Sequence, residues 1–293
     1  MTALAGLTMS VPRGEIFGFL GPNGAGKTTA VKLLLGLARA TSGVARVLGE
    51  SPDDLDMRRR IGYLPELFRY QDWLSAREVL ALHCALAGLR RARRRGAIDD
   101  SLELVGLTAR RDDRVGSFSK GMQQRLGLAV ALVADPEVVF LDEPTSALDP
   151  VGRRDVREVL RSLKARGATV FLNSHMLSEV EQVCDRVAVV DSGRVVALGT
   201  LAELVGGPKR VRIGLESMSA ECAAAAARFG QIESADGTSI VIGDVEAARI
   251  PDVVATLVAA GARIVSVAPE SQTLEDRFLS LLRKPDDVDP DLR

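Results

Sequence analysis

The chain has 293 residues, 46% of them hydrophobic but only 4% aromatic, so its core is expected to be mostly Val, Leu, Ile and Ala, with room for two domains. A net charge of −1 argues against a general nucleic-acid binder. Three cysteines, Cys84, Cys184 and Cys222, have no metal-ligand spacing and read as small buried hydrophobes in a reducing compartment.

In chain order, the first clear element is the apolar strand 16–20, followed by Gly21-Pro22-Asn23-Gly24-Ala25-Gly26-Lys27-Thr28 and a helical run from Thr29 to Leu35. The octet fits the phosphate-loop pattern G-x-x-x-x-G-K-[ST] in its proper strand–loop–helix setting. The glycines let backbone N–H groups turn inward on phosphate oxygens, and the helix aims its positive end at the same anion. Lys27 can reach β- and γ-phosphates, and the Thr28 hydroxyl can ligate Mg²⁺. Further strands are expected at 44–48, 61–64, 138–142, 169–173 and 186–190, with a return at 194–198 after Asp191-Ser192-Gly193. The runs at 138–141 and 168–172 are continuously apolar, as in a mostly parallel sheet covered on both faces. Residues 72–132 read as helical. Arg58 to Arg60 and Arg90 to Arg95 read as solvated charge.

Gly206-Gly207-Pro208 marks a boundary between a first domain, 1–206, and a second, 209–284. The second reads strand 210–215, helix 219–229, strands 231–235 and 238–242, helix 246–260, strand 263–268 and helix 273–283. That β-α-β-β-α-β order points to a small α+β, ferredoxin-like domain. The Pro- and Asp-rich tail 285–293 is expected to be disordered. No apolar stretch approaches the roughly 18 residues that span a bilayer. Residues 1–15 lack the pattern of a secretory signal, so a membrane role is expected to run through a partner.

Two more segments carry chemistry. Val138 to Leu141 end in Asp142-Glu143: the first carboxylate suits Mg²⁺, and the second suits the general base for an attacking water. Phe118-Ser119-Lys120-Gly121-Met122-Gln123-Gln124 leads a helix, where a Ser and a Gly offer a hydroxyl and bare amides to an anion; a plain Ser119 N-cap fits equally well.

Together these segments resemble the ATP-binding cassette (ABC) family of ATPases in its transporter-subunit branch, over roughly residues 1–205. Residues 21–28 match Walker A, Phe118 to Gln124 the family signature, Asp142-Glu143 Walker B, and Ser146 to Asp149 the D-loop. His175 falls at the switch position and Glu66 at the Q-loop position. The resemblance implies an α/β P-loop cassette with a mostly parallel sheet and a helical subdomain at about 72–132. It also implies ATP and Mg²⁺ as cofactors. Gly21 to Thr29, Glu66, Ser119, Gly121, Asp142 and Asp149 would then hold nucleotide. Thr28, Asp142 and Glu66 would hold the metal, and Lys27, Glu143 and His175 would be catalytic. Two cassettes would meet head to tail, a homodimer here, each ATP lying between the Walker A of one and the signature of the other.

The sequence departs from the family at Phe118, Lys120 and Met122 in the signature, and at Glu66, where the family has Gln. No aromatic residue that could stack on adenine precedes Phe17, so the family's opening strand is expected upstream of Thr2, and without it adenine binding is expected to be weak. The C-terminal part resembles the extra domain of drug- and ABC-2-type export subunits. The implied function is the ATP-hydrolysing subunit of a two-component exporter, at the cytoplasmic face of the membrane on integral-membrane permease subunits and without nucleic acid. The alternatives are a soluble cassette ATPase acting on nucleic acid or ribosomes, and a truncated, weakly active or silent cassette.

Overall fold

A computed structural model describes residues 2–206, 210–270 and 273–282. The chain divides into two compact units, Met1–Leu198 and Gly199–Arg293. Of the expected break at 206–208, residues 207 and 208 lie outside the described residues, as does the tail 285–293.

The first unit runs β1 (Ile16–Leu20), α1 (Lys27–Leu34), α2 (Leu55–Arg58), β2 (Ile61–Leu64), α3 (Ala76–Leu86), α4 (Arg91–Leu104), α5 (Lys120–Leu132), β3 (Val138–Asp142), α6 (Pro150–Ala165), β4 (Thr169–Asn173), α7 (Leu177–Val183), β5 (Arg186–Asp191) and β6, which begins at Arg194 and ends at Thr200. Among the described residues six strands form one sheet in the order β2-β3-β4-β1-β5-β6. The pairs β2–β3, β3–β4, β4–β1 and β1–β5 are all parallel. β1, β3 and β4 are buried at every position, which is why they read as unbroken apolar runs rather than alternating ones.

On one face of this sheet Phe171 gathers Phe17, Phe19 and Phe140, with ring centroids 5.2–5.7 Å apart. Ala30 and Val31 of α1 pack into the same cluster. A fully buried phenyl is worth roughly 1.5–3 kcal/mol. The cluster thus holds α1 against the sheet with its N-terminus at the carboxyl end of β1, where the phosphate loop lies.

The expected strand at 44–48 does not form. Val44 is exposed, Leu48 has a φ of 56°, and the segment makes only an isolated bridge from Val47 to Glu50. Val47 enters the core and Leu48 packs against it. Residues 91–95 of the arginine run form the first turns of α4, with Arg90, Arg91, Arg93 and Arg95 exposed, as expected of solvated charge.

The second unit comprises α8 (Leu201–Val205), β7 (Arg210–Leu215), α9 (Ala220–Ala226), β8 (Ile232–Ala235), β9 (Ser239–Gly243), α10 (Ile250–Ala259), β10 (Ile264–Glu270) and α11 (Leu274–Leu282). Its four-stranded sheet has the order β10-β7-β9-β8, with every neighbouring pair antiparallel. Val211, Ile213, Ile240 and Ile242 face α9 and α10 through Cys222, Ala226, Val253 and Leu257. On the opposite face Arg210 pairs with Glu233 and Arg212 with Glu270. The helix expected at 246–260 is split, because Pro251 suits a first helical turn and not an interior. A 3₁₀ turn covers Ala247–Arg249 before α10 begins.

Candidate nucleotide site

The site is built at the carboxyl edge of the parallel sheet, where β1, β3 and β4 end side by side. Gly21 leaves β1 so close to β5 that a Cβ would collide with the Val190 carbonyl, and any side chain there would force the two strands apart. Gly26 caps α1 in the left-handed region (φ 99°) with no side-chain cap on the helix amides. The exposed N–H groups of the first turn, and the positive end of the helix dipole behind them, form an anion cradle. Thr28 is exposed at the start of α1, while Ala25 is buried, its N–H donating to the Pro22 carbonyl at 3.2 Å.

Lys27 Nζ donates to the loop's own carbonyls, Gly21 at 2.6 Å and Pro22 at 3.0 Å. Burial lowers its pKa, opposed by the charges of Glu143, Asp142 and Glu66. A partly desolvated ammonium held by neutral carbonyls, with no ion pair to a carboxylate among the described residues, is free to pair with an arriving anion. Glu66, exposed after β2, enters the set through this electrostatic reach to Lys27 and Asp142.

Asp142 ends β3 in register with Asn173 at the end of β4. Its Oδ1 accepts from Asn173 Nδ2 at 2.6 Å. Burial raises its pKa, with the neighbouring charges of Glu66 and Glu143 acting in the same direction and Asn173 and Lys27 against it. Asn173 Oδ1 is buried without a protein partner. An orphaned acceptor beside a buried carboxylate, at the sheet edge where the phosphate loop also begins, fits a hydrated divalent cation; buried polar groups of this kind are otherwise paired.

Glu143 follows with a left-handed backbone (φ 53°), which a residue with a full side chain seldom adopts. That turn sends its carboxylate across to the loop after β4. Oε1 accepts from the His175 backbone N–H at 2.8 Å and lies 2.8 Å from His175 Nδ1; Oε2 accepts from the Ser174 hydroxyl at 3.3 Å. The His175 ring is 69% exposed, so its other edge is open to a ligand.

The remaining expected residues lie elsewhere. Ser119 caps α5, accepting from the Met122 N–H at 3.3 Å, and Gly121 sits against Leu148 and the Ala147 carbonyl. Asp149 caps α6, accepting from the Gly152 N–H at 2.7 Å. These three lie along the signature and D-loop and, among the described residues, make no hydrogen bond or ion pair with Lys27, Asp142, Glu143 or His175. Two further contacts could not be read from the sequence. Gln124, buried on α5, donates to the Glu143 carbonyl at 3.2 Å. Arg157 on α6 donates to both oxygens of Glu179 on α7 (2.9 and 2.7 Å), tying the helix after the D-loop to the helix after His175.

Between β2, α3 and α5 lies a groove of about 570 Å³, lined among others by Arg59, Tyr63, Phe68, Tyr70, His83 and Leu86. Burial raises the pKa of Tyr70 and lowers that of His83, so these two rings are uncharged around neutrality, and the charge of the wall comes from Arg58 and Arg59.

A parallel sheet with a phosphate loop after its central strand and a carboxylate pair ending a strand two places away defines a P-loop ATPase of the cassette type. The family model described as ABC transporter matches residues 4–146. An uncharacterized ABC transporter ATP-binding protein of Synechocystis is 40% identical over 284 residues, covering 96% of this chain and 79% of the relative. A fluoroquinolones export ATP-binding protein of Mycobacterium tuberculosis is 41% identical over 239 residues, 80% of this chain and 77% of the relative. Among solved structures, a dimeric post-hydrolysis state of an ATP-binding cassette bound to ADP and Pi superposes with a TM-score of 0.63 at 25% identity, covering 68% of this chain and 90% of that one. The chain belongs to the family of ABC transporter ATP-binding subunits.

Proposed function

We propose that the chain hydrolyses ATP to drive export through separate membrane subunits. The observation that carries this reading is the convergence of Lys27, Asp142, Glu143 and His175 on the phosphate loop at one sheet edge. Gly21 to Thr29 would cradle the phosphates, with Lys27 leaving its carbonyl partners to neutralise β- and γ-oxygens. Thr28, Asp142 and Glu66 would hold Mg²⁺, which supplies charge neutralisation on the phosphates. Glu143 would take a proton from the attacking water as its oxygen bonds to the γ-phosphorus and ADP leaves; His175 would hold the γ-phosphate edge.

Ser119 and Gly121 stand outside this set, and in a head-to-tail homodimer they would close over the partner's nucleotide. The dimeric relative with ADP and Pi supports that assembly. The groove beside Glu66, with the apolar Phe68 and Leu86 and the cationic Arg58 and Arg59 in its wall, suits an amphipathic intracellular segment of a permease, which would hold the chain at the cytoplasmic face. Among the described residues no helix is long and apolar enough to cross a membrane. Export is favoured by the mycobacterial relative's name. The second unit, with its 4-1-3-2 antiparallel order, reads as a ferredoxin-like accessory domain. Lys27→Ala tests the core of the reading: ATP turnover should vanish and nucleotide binding weaken. Wild-type turnover in that variant would overturn it.

A further inference from the structure

The backbone of Glu143 is held from outside its own loop. Its left-handed conformation aims its carbonyl away from the strand direction, and three donors meet that oxygen. Two are local: Ser146 Oγ at 3.1 Å and the Ser146 N–H at 3.3 Å. The third is Gln124 Nε2 at 3.2 Å, which comes from a different element, 19 residues earlier in the chain. Gln124 is only 6% exposed, in a stretch of α5 otherwise filled by Leu126, Gly127, Leu128 and Ala129. A buried amide among apolar neighbours is retained only where its hydrogen bonds serve a purpose, since leaving it unpaired is costly.

We propose that Gln124 is a positioning residue for the base. It holds the Glu143 carbonyl in the orientation that directs the Glu143 carboxylate across to Ser174 and His175. The proposal deepens the ATPase reading and rests on it for its catalytic consequence. It has a second implication. α5 begins at the Ser119 cap, and Gly121 on its first turn abuts Leu148. The signature end of the helix and the base of the same chain are thus joined by one side chain, so a displacement of α5 shifts the peptide that carries the base. Gln124 touches no reacting atom; it acts through Glu143.

The test uses the full chain with Gln124→Leu, which keeps the volume and removes the donor. The kcat for ATP should fall on the order of tenfold or more, because a small misplacement of a catalytic group is enough to cost that much, while KM stays within about threefold. Hydrogen exchange over residues 142–149 should be faster than in the wild type, with or without nucleotide. Leu128→Ala, buried on the same helix, serves as the packing control and should keep its kcat at temperatures where it is folded. Turnover of the Leu variant within twofold of wild type, unchanged exchange over 142–149, or an equal kcat loss in Leu128→Ala would each overturn the proposal. A wild-type chain that does not hydrolyse ATP would sink the ATPase reading instead, and the exchange measurement would still decide the role of Gln124.

Discussion

Glu143→Gln separates binding from chemistry more cleanly than any other substitution in the site. The glutamine keeps an oxygen where Oε1 accepts from the His175 N–H at 2.8 Å. Its amide nitrogen replaces Oε2 and can donate to the Ser174 hydroxyl, which now donates at 3.3 Å. The loop after β4 therefore keeps its anchor, and Lys27 keeps Asp142 and Glu66 as neighbouring charges. What disappears is a carboxylate able to accept a proton. General-base catalysis contributes about 10²–10⁴-fold, which at 1.36 kcal/mol per decade is about 2.7–5.4 kcal/mol of barrier. Steady-state phosphate release should drop by that factor while ATP affinity stays near wild type. With hydrolysis blocked, the variant should elute as an ATP-dependent dimer on size exclusion. Phosphate release within a fewfold of wild type would refute the base role, and a variant that stays monomeric with saturating ATP would refute the head-to-tail assembly.

Burial raises the Asp142 pKa, so the folded chain binds that proton more tightly than the unfolded one, and stability should decline as pH rises from about 4, the ordinary carboxylate value, through the raised pKa. In Asp142→Asn this decline should be smaller in nucleotide-free melting curves, and the variant should melt higher than wild type at neutral pH while losing turnover; identical pH profiles would count against burial as the cause. Arg157 and Glu179 are 16% and 11% exposed, so Arg157→Ala should strand a buried carboxylate at about 3–5 kcal/mol, lowering Tm on the order of 10 °C. The double variant Arg157→Met with Glu179→Leu should recover much of that loss, and an Arg157→Ala protein that melts like wild type would show the pair to be dispensable.

The parallel sheet was legible because β1, β3 and β4 are covered on both faces, and burial on both faces leaves an unbroken apolar run. The phosphate loop and the acid pair were legible because they are local in sequence. The segment 44–48 misled because Val44, Val47 and Leu48 carry strand-like side chains, whereas a strand also needs a neighbour to pair with, and only Glu50 answers Val47. Propensity records the side chain and not the availability of a ladder. Gln124 was visible as part of the signature, but nothing in its spacing says that it reaches a carbonyl 19 residues on. Arg157 and Glu179 carry no motif and stand 22 residues apart, so nothing in the sequence pairs them. Their burial comes from the packing of α6 on α7, which sequence does not encode locally. Ser119 shows the reverse: the local pattern offered it as an N-cap, and it does cap α5.

The strand that carries the phosphate loop pairs with β4 and β5, with Ile16 opposite Val170 and Phe17 opposite Arg186. During synthesis from the N-terminus, β1 therefore leaves the ribosome long before either of its neighbours. Contacts of such long sequence separation form slowly, and an unpaired apolar strand bearing Phe17 and Phe19 is prone to sticking while it waits. The loop's residues are complete after the first tenth of the chain, yet the sheet edge that shapes them into a nucleotide cradle closes only when residues near 170 and 190 have arrived. Nucleotide binding by nascent chains of increasing length should accordingly switch on abruptly once β5 has emerged, making the ligand a reporter of when the central sheet has closed.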